Sequence, residues 1–104
     1  MALTQISTDG IKNGTITGSD LATNIDLVDN QKIRFGTGND LEIYHTGSGS
    51  VINDVGTGHL HLRVSGSNRI NIQPDNVQLC HSGTSKLETT SSGATVSGQL
   101  TAGS

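Results

Sequence analysis

From residue 31 to residue 104 the apolar side chains arrive in short alternating runs, each closed by a break rich in Gly, Ser and Asn. Ile33 and Phe35 form the first run, followed by Leu41 with Ile43, then Val51 with Ile52. Leu60, Leu62 and Val64 alternate with His59, His61 and Arg63, and Ile70 with Ile72, Val77 with Leu79, Leu87 and Val96 continue the series. The runs begin roughly every 7–10 residues, the spacing of an all-β sandwich, barrel or stack of rungs. No helical spacing is sustained across this stretch. The pattern predicts strands over 32–35, 41–44, 51–53, 59–64, 70–72, 77–79 and 86–88, with a tail of small polar residues around Val96 and Leu100. Turns are expected at 36–40, 46–50, 54–58, 65–68, 74–76 and 81–85. Pro74 falls just past a strand, where the missing N–H costs little.

Residues 1–30 read differently. Leu3, Ile6, Ile11 and Ile16 are three to five residues apart among Thr, Ser, Asp and Gly. Asp9-Gly10 and Asn13-Gly14 are turn signals. Ser19 is placed to cap a helix of one or two turns through Leu21 and Ile25, with Asp20 at its positive end. These apolar residues are too scattered to build a core. The chain therefore divides into an N-terminal docking arm, 1–30, and a β-rich trimerising domain, 31–104. Leu3, Ile6, Ile11 and Ile16 are the expected docking residues of the arm.

Composition sharpens the picture. Leu, Ile, Val and Phe make up 25 of the 104 residues, enough for an ordered chain at a net charge of only −3. Gly, Ser, Thr and Asn total 47, and the aromatics are one Phe and one Tyr. Aromatics bury about 150–250 Å² each, so their scarcity removes the usual anchors of a small core. The single cysteine, Cys80, excludes an internal disulfide framework. A small domain lacking these devices gains stability by oligomerising. The expected fold is all-β, with short antiparallel strands in a β-prism, β-helix-like or sandwich domain completed by homotrimerisation. Ile33, Ile43, Leu60, Leu62, Ile70, Ile72, Val77 and Leu79 are the expected trimer core, a narrow aliphatic set suited to an axis where three chains meet.

Candidate chemistry is sparse. The six Lys and Arg are scattered without stacking aromatics, so no nucleic-acid partner is expected. No apolar run approaches the ~20 residues of a membrane span, and 1–11 lacks the charged start and apolar centre of a leader. His59-x-His61 would set two imidazoles about 7 Å apart on one strand face. Repeated around a trimer axis, they are candidate ligands for zinc, iron or copper. Against this, Leu60 and Leu62 claim the buried face and send both histidines to solvent, so no metal or other cofactor is expected. Asp26, Asp29, Asp40 and Asp54 are isolated acids beside turns. Gly36-x-Gly38 is followed by no helix and is not a phosphate loop. No carboxylate pair, Ser/His/Asp or Cys/His set has a catalytic context, and an enzyme is not expected.

Three stretches carry a resemblance. Lys32-Ile33-Arg34-Phe35-Gly36-Thr37-Gly38-Asn39-Asp40-Leu41-Glu42-Ile43-Tyr44-His45 resembles a segment of tail-fibre and related virion proteins of marine bacteriophages, notably cyanophages and pelagiphages. Ser85-Lys86-Leu87-Glu88-Thr89-Thr90-Ser91-Ser92-Gly93-Ala94-Thr95-Val96-Ser97-Gly98-Gln99-Leu100-Thr101-Ala102 is similar to a stretch common in them. Ala2-Leu3-Thr4-Gln5-Ile6-Ser7-Thr8-Asp9-Gly10-Ile11 resembles their virion-proximal start. The resemblance implies a non-enzymatic, trimeric β-structured shaft or knob, assembled in the host cytoplasm and residing in the virion. Its implied partners are capsid or tail proteins, with a host surface glycan as a further one. Fibres of this kind usually run far beyond the final Thr-Ala, which makes a head-fibre or capsid-decoration role the alternative, and a surface carbohydrate-binding module the second alternative. Tyr44 alone would supply the aromatic platform of such a module.

Overall fold

The computed structural model of the protein describes residues 10–103. Eight strands follow one another: β1 Ile33–Phe35, β2 Leu41–His45, β3 Ser50–Asp54, β4 Leu60–Val64, β5 Ser67–Ile72, β6 Val77–His81, β7 Thr84–Thr90 and β8 Gly93–Val96. They form two antiparallel meanders, a three-stranded sheet β1-β2-β3 and a five-stranded sheet β4-β5-β6-β7-β8. Every strand pairs with its sequence neighbour except across the 55–59 connection, where one sheet ends and the next begins. The all-β class follows directly from the period-two pattern.

The seven expected strands are present, with differences at their ends, and an eighth, β8, forms in the stretch expected to be a polar tail, where Val96 pairs with Leu87. Ser67 and Asn68 belong to β5, and His81, Thr84 and Ser85 to β6 and β7, because the turns between them need only two residues each. Ser65-Gly66 and Ser82-Gly83 have positive φ at both positions, 50° and 79° in one, 46° and 88° in the other. Such turns match the right-handed twist of the flanking strands. The two hairpins are equivalent at an offset of 17 residues. Leu62 matches Leu79, Ser65-Gly66 matches Ser82-Gly83, and Arg69-Ile70-Asn71 matches Lys86-Leu87-Glu88. Each hairpin also carries a bulge at the same place. Pairing passes from Arg63↔Asn68 to Leu62↔Ile70, leaving Arg69 as the extra residue, and from Cys80↔Ser85 to Leu79↔Leu87, leaving Lys86. Bulges add local twist and stop register slip.

Before β1 the chain is irregular. Asn13-Gly14 turns as expected, with Thr15 N–H donating to Lys12 C=O at 3.2 Å and Gly14 at φ +77°. The helix expected from Ser19 through Ile25 does not form. A single 3-10 turn spans Gly18–Asp20, and its cap is Thr17 rather than Ser19. The Thr17 N–H and hydroxyl both donate to Asp20 Oδ2, at 2.8 and 3.0 Å. A short segment without a packed apolar face cannot sustain more. These hydrogen bonds, the backbone one foremost, hold the Asp20 carboxyl below its ordinary value. A lowered carboxyl stabilises its turn above the ordinary carboxylate pKa and loses that contribution as pH falls through the folded value. Titration followed by NMR should therefore show Asp20 protonating below the ordinary aspartate range, with the Thr17 amide signal moving in the same step.

No hydrophobic side chain among the described residues is buried. The molecule extends 74 × 31 × 31 Å, with a radius of gyration of 20.5 Å. A compact chain of this length would have about 13 Å. Packing within the chain is confined to adjacent strands and a few tight turns. At the turn before β2, the Asp40 C=O accepts from the Val55 and Gly56 amides at 2.7 and 3.2 Å, and the Asp40 side chain lies against Gly36, Gly38 and Gly56. A Cβ on Gly56 would stand 2.8 Å from Asp40 Cβ, a distance at which something must shift. Gly56→Ala should destabilise the first sheet by about 1–3 kcal/mol, the usual cost of overpacking. Denaturant unfolding measures the loss, and Asp40→Gly in the same chain should return most of it.

Candidate assembly surface

Residues directly opposite in an antiparallel pair share a face, so the register sorts the side chains. In the first sheet Ile33 lies opposite Ile43 and Ile43 opposite Ile52, with Phe35 opposite Leu41. In the second, Leu60, Ile72 and Val77 form one cross-strand row, and Leu62, Ile70, Leu79, Leu87 and Val96 form the next. All eight residues named as a core from the sequence therefore stand on the apolar face of their own sheet. That face is uncovered. Ile33 is 46% exposed, Phe35 49%, Ile43 38%, Ile52 59%, Leu62 47%, Ile72 37% and Leu79 45%. Together with their half-buried neighbours these side chains leave an apolar face open on each sheet.

Two concave places interrupt this face. A groove of about 520 Å³ runs between the lead-in residues Ile25, Leu27 and Val28 and the apolar residues Ile33, Ile43 and Ile52. At the junction of the sheets, an open cleft of about 350 Å³ is lined by Ile52, Asp54, Leu60, Ile72 and Pro74 among others. The cleft brings the apolar faces of both sheets to one place.

The opposite face is polar and better covered. Glu42, only 8% exposed, receives Lys32 Nζ at 3.1 and 3.2 Å and Arg34 Nε at 3.2 Å. Lys32 Nζ also stands 4.5 Å from the centre of the Tyr44 ring, so that ring is not a free platform. On the second sheet His61, Asn71, Gln78, Glu88 and Thr95 are successive register partners. Asn71 Nδ2 donates to Gln78 Oε1 at 2.9 Å, Gln78 Nε2 donates to Glu88 Oε2 at 3.2 Å, and Asn76 Nδ2 donates to Glu88 Oε1 at 2.7 Å. Asn71 is 7% exposed. His61 Nδ1, Asn71 Oδ1 and Asn76 Oδ1 are buried without partners at the margins of this ladder.

In the single chain His59 is exposed and Leu60 half-buried, as expected, while the order of the next two residues is inverted. Leu62 is open and His61 half-buried, because the polar ladder shields its own members while nothing lies over the leucines. His59 and His61 stand with ring centroids 5.8 Å apart. No third His, Cys, Asp or Glu joins them among the described residues. Cys80 is a free, half-buried thiol in β6. His45 and His81 are exposed at strand ends next to turns, and His45 Nδ1 lies 3.0 Å from Ser50 Oγ. Of the docking residues, Ile11 and Ile16 are exposed, at 42% and 54%. Leu3 and Ile6 lie outside the described residues. Sequence reasoning missed the ladder of Asn71, Gln78 and Glu88. The 17-residue repeat would have revealed it, since His61 and Asn71 recur as Gln78 and Glu88.

No family model, curated protein or solved structure matches this chain. The arrangement itself therefore carries the chemistry: an apolar face open to water, backed by a hydrogen-bonded polar face. Gln78→Ala would strip Asn71 and Glu88 of a partner at once. Unfolding experiments should register a loss of about 1–3 kcal/mol, the cost of leaving a buried polar group unpaired.

Proposed function

We propose that this chain is a non-enzymatic structural subunit of a bacteriophage particle, a short fibre or spike in which three copies form one β-structured trimer. The observation that supports the reading is the uncovered apolar face on both sheets. A sheet with one apolar face must bury it against another layer, and the described residues supply none. Three copies turning that face to a common axis would form a β-prism, with Ile33, Ile43, Leu60, Leu62, Ile70, Ile72, Val77 and Leu79 inside. Burying one such side chain contributes about 1.5–3 kcal/mol, and the gain is repeated on every copy. The elongated shape and meander order suit a shaft. The similarity of residues 2–11, 32–45 and 85–102 to marine phage fibre proteins supplies the particle. In this reading the segment before β1 is the arm that docks on capsid or tail proteins.

Wild-type protein should sediment as a trimer at micromolar concentration, and Leu62→Asp should sediment as a monomer. A folded wild-type monomer under those conditions would overturn the trimer. Cross-linking in intact particles should join residues 1–30 to a capsid or tail protein. Links to capsid alone would place the subunit as a head fibre or decoration protein, and glycan binding without particle contacts would make it a surface-recognition module.

A further inference from the structure

The antiparallel register sorts the residues of the five-stranded sheet toward two flanks. One flank carries the Ser65-Gly66 and Ser82-Gly83 turns. The other carries the turn closed by Gln73 N–H to Asn76 C=O at 2.9 Å, and the Ser91-Ser92 turn. The sheet's three cations, Arg63, Arg69 and Lys86, all fall in the half beside the first flank. Asp75 sits in the turn of the second flank, and Glu88 lies in the half next to it. Asp54, at the end of β3, joins them across the junction, lining the same cleft as Ile72 and Pro74.

These charges are separated rather than paired. Among the described residues the ion pairs are those of Glu42 with Lys32 and Arg34. Arg63 Nε donates to Asn68 Oδ1 at 2.7 Å, and Arg69 Nη1 reaches the C=O groups of Ser67 and Asn68 at 3.4 and 3.5 Å. Glu88 accepts from amides, not from a cation. The repeat enforces the segregation, since Arg69 and Lys86 are the extra residues of two equivalent bulges.

We propose that the two flanks are complementary halves of one interface, through which the cationic flank of each copy meets the acidic flank of the next. The partner is a second copy of this chain, and the inference rests on the homo-oligomeric reading above. Such a contact is heterologous, and it closes into a ring when the rotation between copies is that of the assembly. Turning the apolar faces to an axis brings the flanks of adjacent copies side by side. Charges at the rim of an apolar contact then select partner and register more than they add affinity.

Charge reversal tests this. Arg63→Glu with Lys86→Glu makes both flanks acidic, and Asp54→Lys with Asp75→Lys makes both basic. Each pair should weaken assembly about tenfold or more at low salt, with the deficit shrinking in high salt as charges are screened. The chain carrying all four substitutions should assemble as wild type does, which separates lost complementarity from lost folding. The acidic and basic variants mixed together should not close trimers, because alternating partners complete only even-numbered rings. Trimers from that mixture, or single-flank variants that assemble normally at every salt concentration, would overturn the flank interface while leaving the oligomer standing. A monomeric wild-type protein would remove both.

Discussion

The structure depends on one mismatch: each sheet has a face built for burial, and among the described residues there is no second layer to lay on it. Most small β domains solve this by folding one sheet onto another, about 10 Å apart. Here the connection after β3 carries the chain onward instead of back, and the two meanders follow one another along a 74 Å molecule. The strands are short, three to seven residues, and each brings one to three aliphatic side chains. An aromatic-poor row of that kind is too thin to seal a sandwich on its own. In the proposed trimer the same row would suffice, since each copy would fill only its own sector around the axis.

What the single chain does secure is its register. The buried side chains are Glu42 and Asn71, both polar and both on the face away from the aliphatic rows. A slip by one residue would move every side chain to the opposite face. It would also leave Glu42 without its cations and break the Asn71–Gln78–Glu88 ladder. Buried polar groups that are satisfied only in one arrangement penalise all others. The bulges at Arg69 and Lys86 and the two Ser-Gly turns add the same kind of specification from the flanks. The polar face thus fixes where the aliphatic side chains stand, and the aliphatic face is left open.

Local pairing also gives the molecule a repeat character. Each strand meets only its neighbours, as in proteins whose stability is a sum of unit and nearest-neighbour contributions. The 17-residue correspondence between the β4-β5 and β6-β7 hairpins places leucines, turns, amides and cations at matching positions. Face, turn and charge therefore advance together along the axis.

Much of this was legible in the chain itself. Alternation has a period of two whatever the context, and Gly or Asn at positive φ marks a turn without help from distant residues. Seven of the eight strands, the breaks between them and the eight residues named for the apolar face could therefore be read from local pattern, while β8, with Val96 as its one large apolar residue, could not. The second face could not. That Glu42 gathers Lys32 and Arg34, that Asn71 meets Gln78, and that Thr17 rather than Ser19 caps its turn are results of pairing and backbone geometry. So is the reversal in which His61 is sheltered and Leu62 stands in water. Sequence determined which side chains share a face because alternation is local. Only the tertiary structure decided which face is open, because covering a face requires a second layer, and the path of the chain after β3 provides none.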